Sequence, residues 1–176
     1  MPEKIFEPKL PRGLVRLAFR LPIWLYRFHL GWLLGYRFVL LTHTGRKSGL
    51  TRQTVLEVVH YDKVTGACVV ASGWGTKSEW YRNVTANPKI VFQVRNMPTA
   101  GIAERLSPDE ASQKMYDYAR HYPLDLGELA RFMGYRLDGS DDDIRALGRM
   151  IPMFLLKPTP EAQRLNKPVE SPHQAQ

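Results

Sequence analysis

Apolar and polar positions repeat along this chain with two different periods. In residues 11–35, "PRGLVRLAFRLPIWLYRFHLGWLLG", the side chains Leu14, Leu17, Leu21, Trp24, Leu25 and Phe28 recur at steps of three and four. That spacing predicts an amphipathic helix, because residues three and four apart share one helical face. Arg12, Arg16, Arg20 and Arg27 fall together on the opposite side. Pro22 predicts a kink or restart, and Gly31 and Gly35 predict the helix end. Residues 1–10 read as a loose arm.

Further on the pattern turns to β. Strands are predicted at 37–44, 51–60, 67–73, 89–95 and 99–106, with turns at "DKVTG" (62–66) and "NMP" (96–98). A helix is predicted over 76–87, stopped by Pro88. Another starts at Ser107, where Pro108 sits at the first helical position and Glu110 completes a capping box, and runs to about His121. Two more are predicted at 124–134 and, opened by "SDDD", at 140–150. "IPMFLL" (151–156) reads as a last strand. Successive strands joined by turns, with few helices between them, argue for an antiparallel sheet or small barrel. The class is mainly β with α (α+β). The predicted organisation is an arm and amphipathic helix over 1–35, a barrel domain over 36–156 and a flexible tail over 157–176.

Charge sharpens this picture. The net charge of the 176 residues is +8. From Pro8 to Leu56 there are nine Lys or Arg and no Asp or Glu, whereas from Glu57 onward fifteen basic residues face fifteen acidic ones. All of the excess therefore sits in the first third, which points to an anionic partner there: a phosphorylated ligand, a membrane surface or nucleic acid. The single cysteine, Cys68, excludes a disulfide framework and suits a reducing compartment. The first twelve residues carry no apolar signal core, and no apolar run approaches the roughly 20 residues of a spanning helix.

The commonest self-contained chemistries are missing. No Cys-x-x-Cys or His-Glu-x-x-His is present, and His29, His43, His60, His121 and His173 are scattered, so no metal site is expected. "GRKSG" (45–49) lacks P-loop spacing and no helix follows it. Ser72 in "VVASGWG" is not set in a nucleophile elbow. An enzyme with this sequence would borrow its hard chemistry from a cofactor. The densest cationic stretch, "THTGRKSGLTRQT" (42–54), lies on the turn of a predicted hairpin with glycines on both sides of Arg46, Lys47 and Ser48. A solvated turn looks like this, and so does a loop that holds a polyanion.

Three stretches in order, "LLTHTGRKSGLTRQTVL" (40–56), "VVASGWG" (69–75) and "EWYRNVTANP" (79–88), resemble the deazaflavin-dependent nitroreductases, also called coenzyme F420-dependent quinone reductases. The resemblance covers roughly residues 35–123. It implies a split β-barrel like that of FMN-binding pyridoxamine-phosphate-oxidase relatives, and a cofactor with a phosphate and an oligoglutamate tail. Arg46, Lys47, Ser48 and Arg52 stand where the family grips that tail and its linker. Thr54, Val55 and Leu56 match the strand facing the deazaflavin ring. Ala71 and Ser72 match the neighbouring strand, and Trp80 and Asn83 match positions near the phosphate. Gly73 stands where some members carry Lys, Glu57 where an aromatic residue can face the substrate, and Tyr122 alone where others have a cluster of tyrosines.

The implied activity is hydride transfer from reduced deazaflavin to a quinone, enone or nitro compound. A proton to complete the reduction has solvent, Tyr122 or His43 as sources. FMN in place of F420, or a fatty-acid-binding protein on the same barrel without turnover, are the alternatives. The expected partners are a small-molecule electron acceptor, an anionic membrane surface met by the 11–35 helix, and a second copy of the chain in a homodimer. Nucleic acid is not expected, because the aromatics follow the helical stripe and no binding motif is present. The expected location is cytoplasmic, peripheral on the inner face of the cell membrane.

Overall fold

Six strands close into a barrel. The structure is a computed structural model that describes residues 1–8 and 21–166. The barrel strands are β2 (Phe38–Thr44), β3 (Thr51–Tyr61), β4 (Cys68–Ala71), β5 (Lys89–Val94), β6 (Met97–Arg105) and β8 (Met153–Pro158). Their order round the barrel is β2-β3-β4-β8-β6-β5, returning to β2, and every pairing is antiparallel. Closure leaves no free sheet edge. Two short strands outside the barrel, β1 (Glu3–Lys4) and β7 (Tyr135–Arg136), pair with each other.

Period-two alternation sends Val39, Leu41, Phe92, Val94, Phe154 and Leu156 into the barrel, where they pack with Val58, Val70 and Ala103. Side chains fill the interior, as expected of so small a barrel. The helix α2 (Glu79–Ala86), which follows a 3-10 turn at Gly75–Lys77, plugs one end with Trp80, Tyr81 and Val84. A second core forms outside the barrel. There α3 (Pro108–His121), α4 (Pro123–Phe132) and α5 (Asp141–Met150) cover Val59, Val69 and Met153 with Met115, Tyr118, Leu126, Met133 and Leu147. Ser107 caps α3 through the expected capping box, and Ser140 caps α5 by accepting from the Asp143 amide.

The sequence reading needs four corrections. Helix α1, described from Leu21, ends at Arg27 and is followed by a 3-10 turn at Gly31–Leu34; residues 9–20, with Arg12, Leu14, Arg16, Leu17 and Arg20, lie outside the described ones. The face that α1 buries is not the expected stripe. Ile23 and Tyr26 pack on Leu40 and Val55, and the Tyr26 hydroxyl donates to the Phe38 carbonyl at 2.9 Å, while Trp24 and Phe28 point to water. The β5–β6 turn sits at Arg95–Asn96, with Arg95 at φ +56°, so Met97 and Pro98 already belong to the strand. The stretch read as a tail starts inside β8 and continues as α6 (Pro160–Asn166), and the arm supplies β1. Among the described residues no helix is long and apolar enough to cross a membrane.

Helices α3 and α5 meet backbone to backbone at Gly148. A Cβ there would lie 2.6 Å from Ser112 Cα and 2.8 Å from the Ala111 carbonyl. Gly148→Ala is therefore expected to cost about 1–3 kcal/mol through overpacking. In Gly127→Ala, on α4, the new Cβ meets nothing within 4 Å, and the change is expected to stabilise by about 0.5–1 kcal/mol from helix propensity. Urea unfolding of both variants checks the pair.

Candidate functional site

The β2–β3 hairpin ends in a turn drawn tight by its glycines. The Gly45 amide donates to Leu50 O and the Gly49 amide to Gly45 O, each at 2.8 Å, and Gly49 takes φ +68°, where a side chain would be strained. A Cβ on Gly45 would approach Ser48 Oγ to 2.8 Å. The tip thus presents Arg46, Lys47 and Ser48 together, with Arg52 just inside β3 opposite His43.

The three cations do not behave alike. Arg46 folds back onto α2. Its Nη1 donates to Glu79 Oε2 at 2.7 Å and to Asn83 Oδ1 at 3.0 Å, and its backbone amide donates to the same Asn83 oxygen at 3.1 Å. This bond holds the Glu79 carboxyl below its usual range. Lys47 and Arg52 are exposed, and among the described residues neither makes a hydrogen bond or ion pair. Arg46 is the strut of the turn, and Lys47 and Arg52 are its open charges.

Asn83 joins the hairpin to the barrel plug. Because its oxygen accepts from Arg46, its Nδ2 is the group that meets His43 Nδ1 at 3.3 Å. It donates there, which leaves the proton of a neutral imidazole on Nε2. Burial pushes the His43 pKa below its ordinary value, and the Arg52 charge pushes the same way.

From this end a strip runs along the outside of β3. Thr51, Gln53, Val55 and Glu57 alternate outward, and six residue steps of an antiparallel strand make about 20 Å. Gln53 Nε2 donates to Thr42 Oγ1 at 3.3 Å, and Val55 lies beneath Ile23 and Tyr26. At the far end Glu57 accepts from the buried Tyr118 hydroxyl at 2.8 Å and from Arg37 at 3.4 Å. Arg37 also pairs with Asp125 at 2.9 Å and lies 5.8 Å from the Tyr122 ring centroid. Burial, and then the bond to Glu57, push the Tyr118 phenol pKa up. Tyr122 packs on Tyr118 at 5.4 Å and is half-exposed.

The structure thus gathers Arg46, Lys47, Ser48, Arg52, His43 and Asn83 at one end and places Tyr122 at the other. Thr54 and Leu56 pair with the inward Leu41 and Val39, so their side chains point away from that of Val55. Ala71 pairs with Met153 at the end of β4. Ser72 is fully buried as a clasp: its hydroxyl donates to Gly75 O at 2.7 Å and lies 2.8 Å from Ser78 Oγ. Trp80 is a buried anchor of α2, edge-on to Phe154 at 5.9 Å. Glu79, Tyr118, Arg37 and Asp125 escaped the sequence reading. The four-residue step from Tyr118 to Tyr122 was the available signal for one of them.

Residues 20–125, which include the cationic hairpin, α2 and both tyrosines, match the F420H(2)-dependent quinone reductase family. The chain belongs to that family. Its cofactor is coenzyme F420. Among solved structures, an F420-H2 dependent reductase, FDR-A, is 26% identical, with 69% of this chain and 94% of that one covered at a TM-score of 0.48. A protein of unknown function from Agrobacterium tumefaciens str. C58 is 15% identical over 86% of this chain and 58% of its own, at a TM-score of 0.50, a likeness of fold. A pyridoxamine 5'-phosphate oxidase-related, FMN binding protein from Nostoc punctiforme PCC 73102 is 17% identical over 84% and 81%, at 0.46. The donor set fits F420. Lys47, Arg52 and the Ser48 hydroxyl are the groups that would hold phosphate and carboxylate, and the filled barrel leaves the outside as the place for a long ligand.

Asn83→Ala strands the Arg46 amide and His43 Nδ1 together. It is expected to cost about 1–3 kcal/mol in urea unfolding. His43 should titrate below 6.5 by NMR, and Arg52→Gln should raise that value. The sign follows from proton uptake. Below about pH 6.5 the unfolded chain binds a proton at His43 that the folded chain refuses, so this share of stability is complete above that pH and declines as pH falls toward the folded pKa.

Proposed function

We propose that this reductase delivers hydride from reduced F420 to an electron-poor acceptor of quinone, enone or nitro type. The observation that carries the reading is the division of labour on the hairpin. Arg46 is consumed by Glu79 and Asn83, whereas among the described residues Lys47 and Arg52 make no hydrogen bond or ion pair, and Glu79 feels the Lys47 charge only at longer range. Two unsatisfied cations and a hydroxyl on a rigid turn suit a string of carboxylates, since charge-assisted bonds to a preset turn lose little entropy on binding.

Bound reduced F420 supplies the hydride. The protein's own residues supply grip, orientation and a proton. Lys47, Ser48 and Arg52 anchor the anionic end. Arg46 and Asn83 keep the turn at a fixed distance from α2, so the anchor stays in register with β3. Val55, sheltered by Ile23 and Tyr26, offers an apolar surface on the strip. At the far end Arg37 bridges Glu57 and Asp125 and lies beside Tyr122, whose hydroxyl we assign as the proton source. His43 is buried, neutral and committed to Asn83, which suits a structural role.

Lys47→Ala and Arg52→Ala are each expected to weaken F420 binding by about 1–3 kcal/mol with no change in Tm. The loss should shrink at high salt and with cofactor bearing fewer glutamates. Arg46→Ala should lower both affinity and Tm, because it also frees the turn. Fluorescence titration alongside thermal unfolding tests the set, and unchanged affinity in both Lys47→Ala and Arg52→Ala would remove the assignment.

A further inference from the structure

Helix α1 is apolar on two faces, and the barrel uses only one. Ile23 and Tyr26 are buried on Leu40 and Val55. Trp24 and Phe28, one turn apart, stack on each other at 6.1 Å with 49% and 67% of their surface exposed. The chain then reverses at His29, which takes φ +57°, and His29 O accepts from Asn96 Nδ2 at 2.8 Å. The following 3-10 turn leaves Trp32 at 53% and Leu33 at 56% exposure, while Gly31 is pressed against the Arg95 carbonyl. Cations flank this surface. Arg27 lies 5.0 Å over Trp24, and Lys63 and Arg95 lie 5.5 and 5.4 Å over Tyr36. Of the acids around it, Asp62 is turned into its own loop, where it accepts from Val64 and Thr65, and Glu57 is paired with Arg37.

We propose that this face docks on an anionic lipid bilayer. Exposed Trp, Phe and Leu beside Arg and Lys, without acid from Leu21 to Leu56, are what an interfacial segment needs. The apolar side chains enter the headgroup boundary and the cations meet lipid phosphate. Charge complementarity selects the bilayer over a second copy, because a two-fold contact through the same face would set Arg27, Lys63 and Arg95 against themselves. Orientation supports it. The patch precedes β2 and the cationic turn follows it, so seven residues, or about 24 Å, separate them. Glu57 and Tyr118 lie at the patch end. A docked molecule therefore keeps Lys47 and Arg52 in water and turns the proton-donor end to the lipid, where an apolar acceptor dissolves. The direction of acceptor arrival rests on the reductase reading; vesicle binding does not.

The test is co-sedimentation of the full chain with vesicles of equimolar phosphatidylcholine and phosphatidylglycerol, and of phosphatidylcholine alone, at low and high salt. The expected result is binding to the anionic vesicles at low salt, a blue shift of Trp emission, and loss at high salt. Trp32→Ser combined with Leu33→Ser should reduce partitioning at least ten-fold while F420 affinity and Tm stay at wild-type values. Arg27→Gln and Lys63→Gln should each reduce it about five-fold, at low salt only. Absence of binding by the intact chain, or equal binding by the Trp32 and Leu33 variant, overturns the proposal and leaves the reductase reading standing. Self-association in sedimentation velocity that the same double variant abolishes also overturns it, in favour of a second copy.

Discussion

Side chains fill the closed barrel to its axis, and that constraint governs the rest of the molecule. Phe92, Phe154, Leu41 and Leu156 leave the interior to packing, and Trp80 and Tyr81 stop one end. The packed interior leaves the outside of the strands for a long ligand in the reading proposed above. Both outer coverings, α1 over Leu40 and Val55 and the α3–α5 group over Val59 and Val69, then shape the functional surface as well as burying apolar area. The strip on β3 passes beneath α1 at Val55 and meets α3 at Glu57.

The hairpin shows how one motif divides its cations between the scaffold and the open surface. Three cations close in sequence would repel and splay a bare turn. Glu79 and Asn83 hold one of them, and the Arg46 guanidinium becomes part of the scaffold. The charge that remains open is smaller but better placed. Asn83 does most here for its size, since one amide accepts twice from Arg46 and donates to His43. The far end of the strip is built in the same way. Arg37 bridges Glu57 and Asp125, and Tyr118 gives Glu57 a buried donor. Each end of the strip therefore has a fixed ion network with a more exposed group beside it: Lys47 and Arg52 at one, Tyr122 at the other.

The proposed bilayer contact depends on how α1 is turned on the barrel. The sequence reading assigned Trp24 and Phe28 to a single apolar stripe with Leu21 and Leu25. The fold buries Ile23 and Tyr26 instead and turns the two aromatic rings out beside Arg27. A helix with one apolar stripe has to choose between barrel and bilayer. A helix with two can serve both.

Strands β2, β3, β5 and β6, the capping box at Ser107 and the signature at Ser140 were legible in the sequence because they rest on local rules: alternation, turn residues and side chains that reach two or three positions along the chain. The cationic turn was legible for the same reason, and the ordered motifs around it pointed to the family. The insertion of β8 between β4 and β6 was not, because nothing local to Met153–Pro158 says which strand edges are free. The separate fates of Arg46 and Lys47 were equally hidden. They are adjacent and alike in charge, and only α2, more than thirty residues on, brings Glu79 and Asn83 to one and not the other. Tyr118, Glu57 and Asp125 likewise come from three elements and Arg37 from the turn before β2, and they meet only in the fold. The sequence by itself determined most of the barrel strands, the charge and the kind of ligand. The tertiary structure decided which charges are neutralised and which are free, because Coulomb and hydrogen-bond energies depend on distances of a few ångströms that only packing sets.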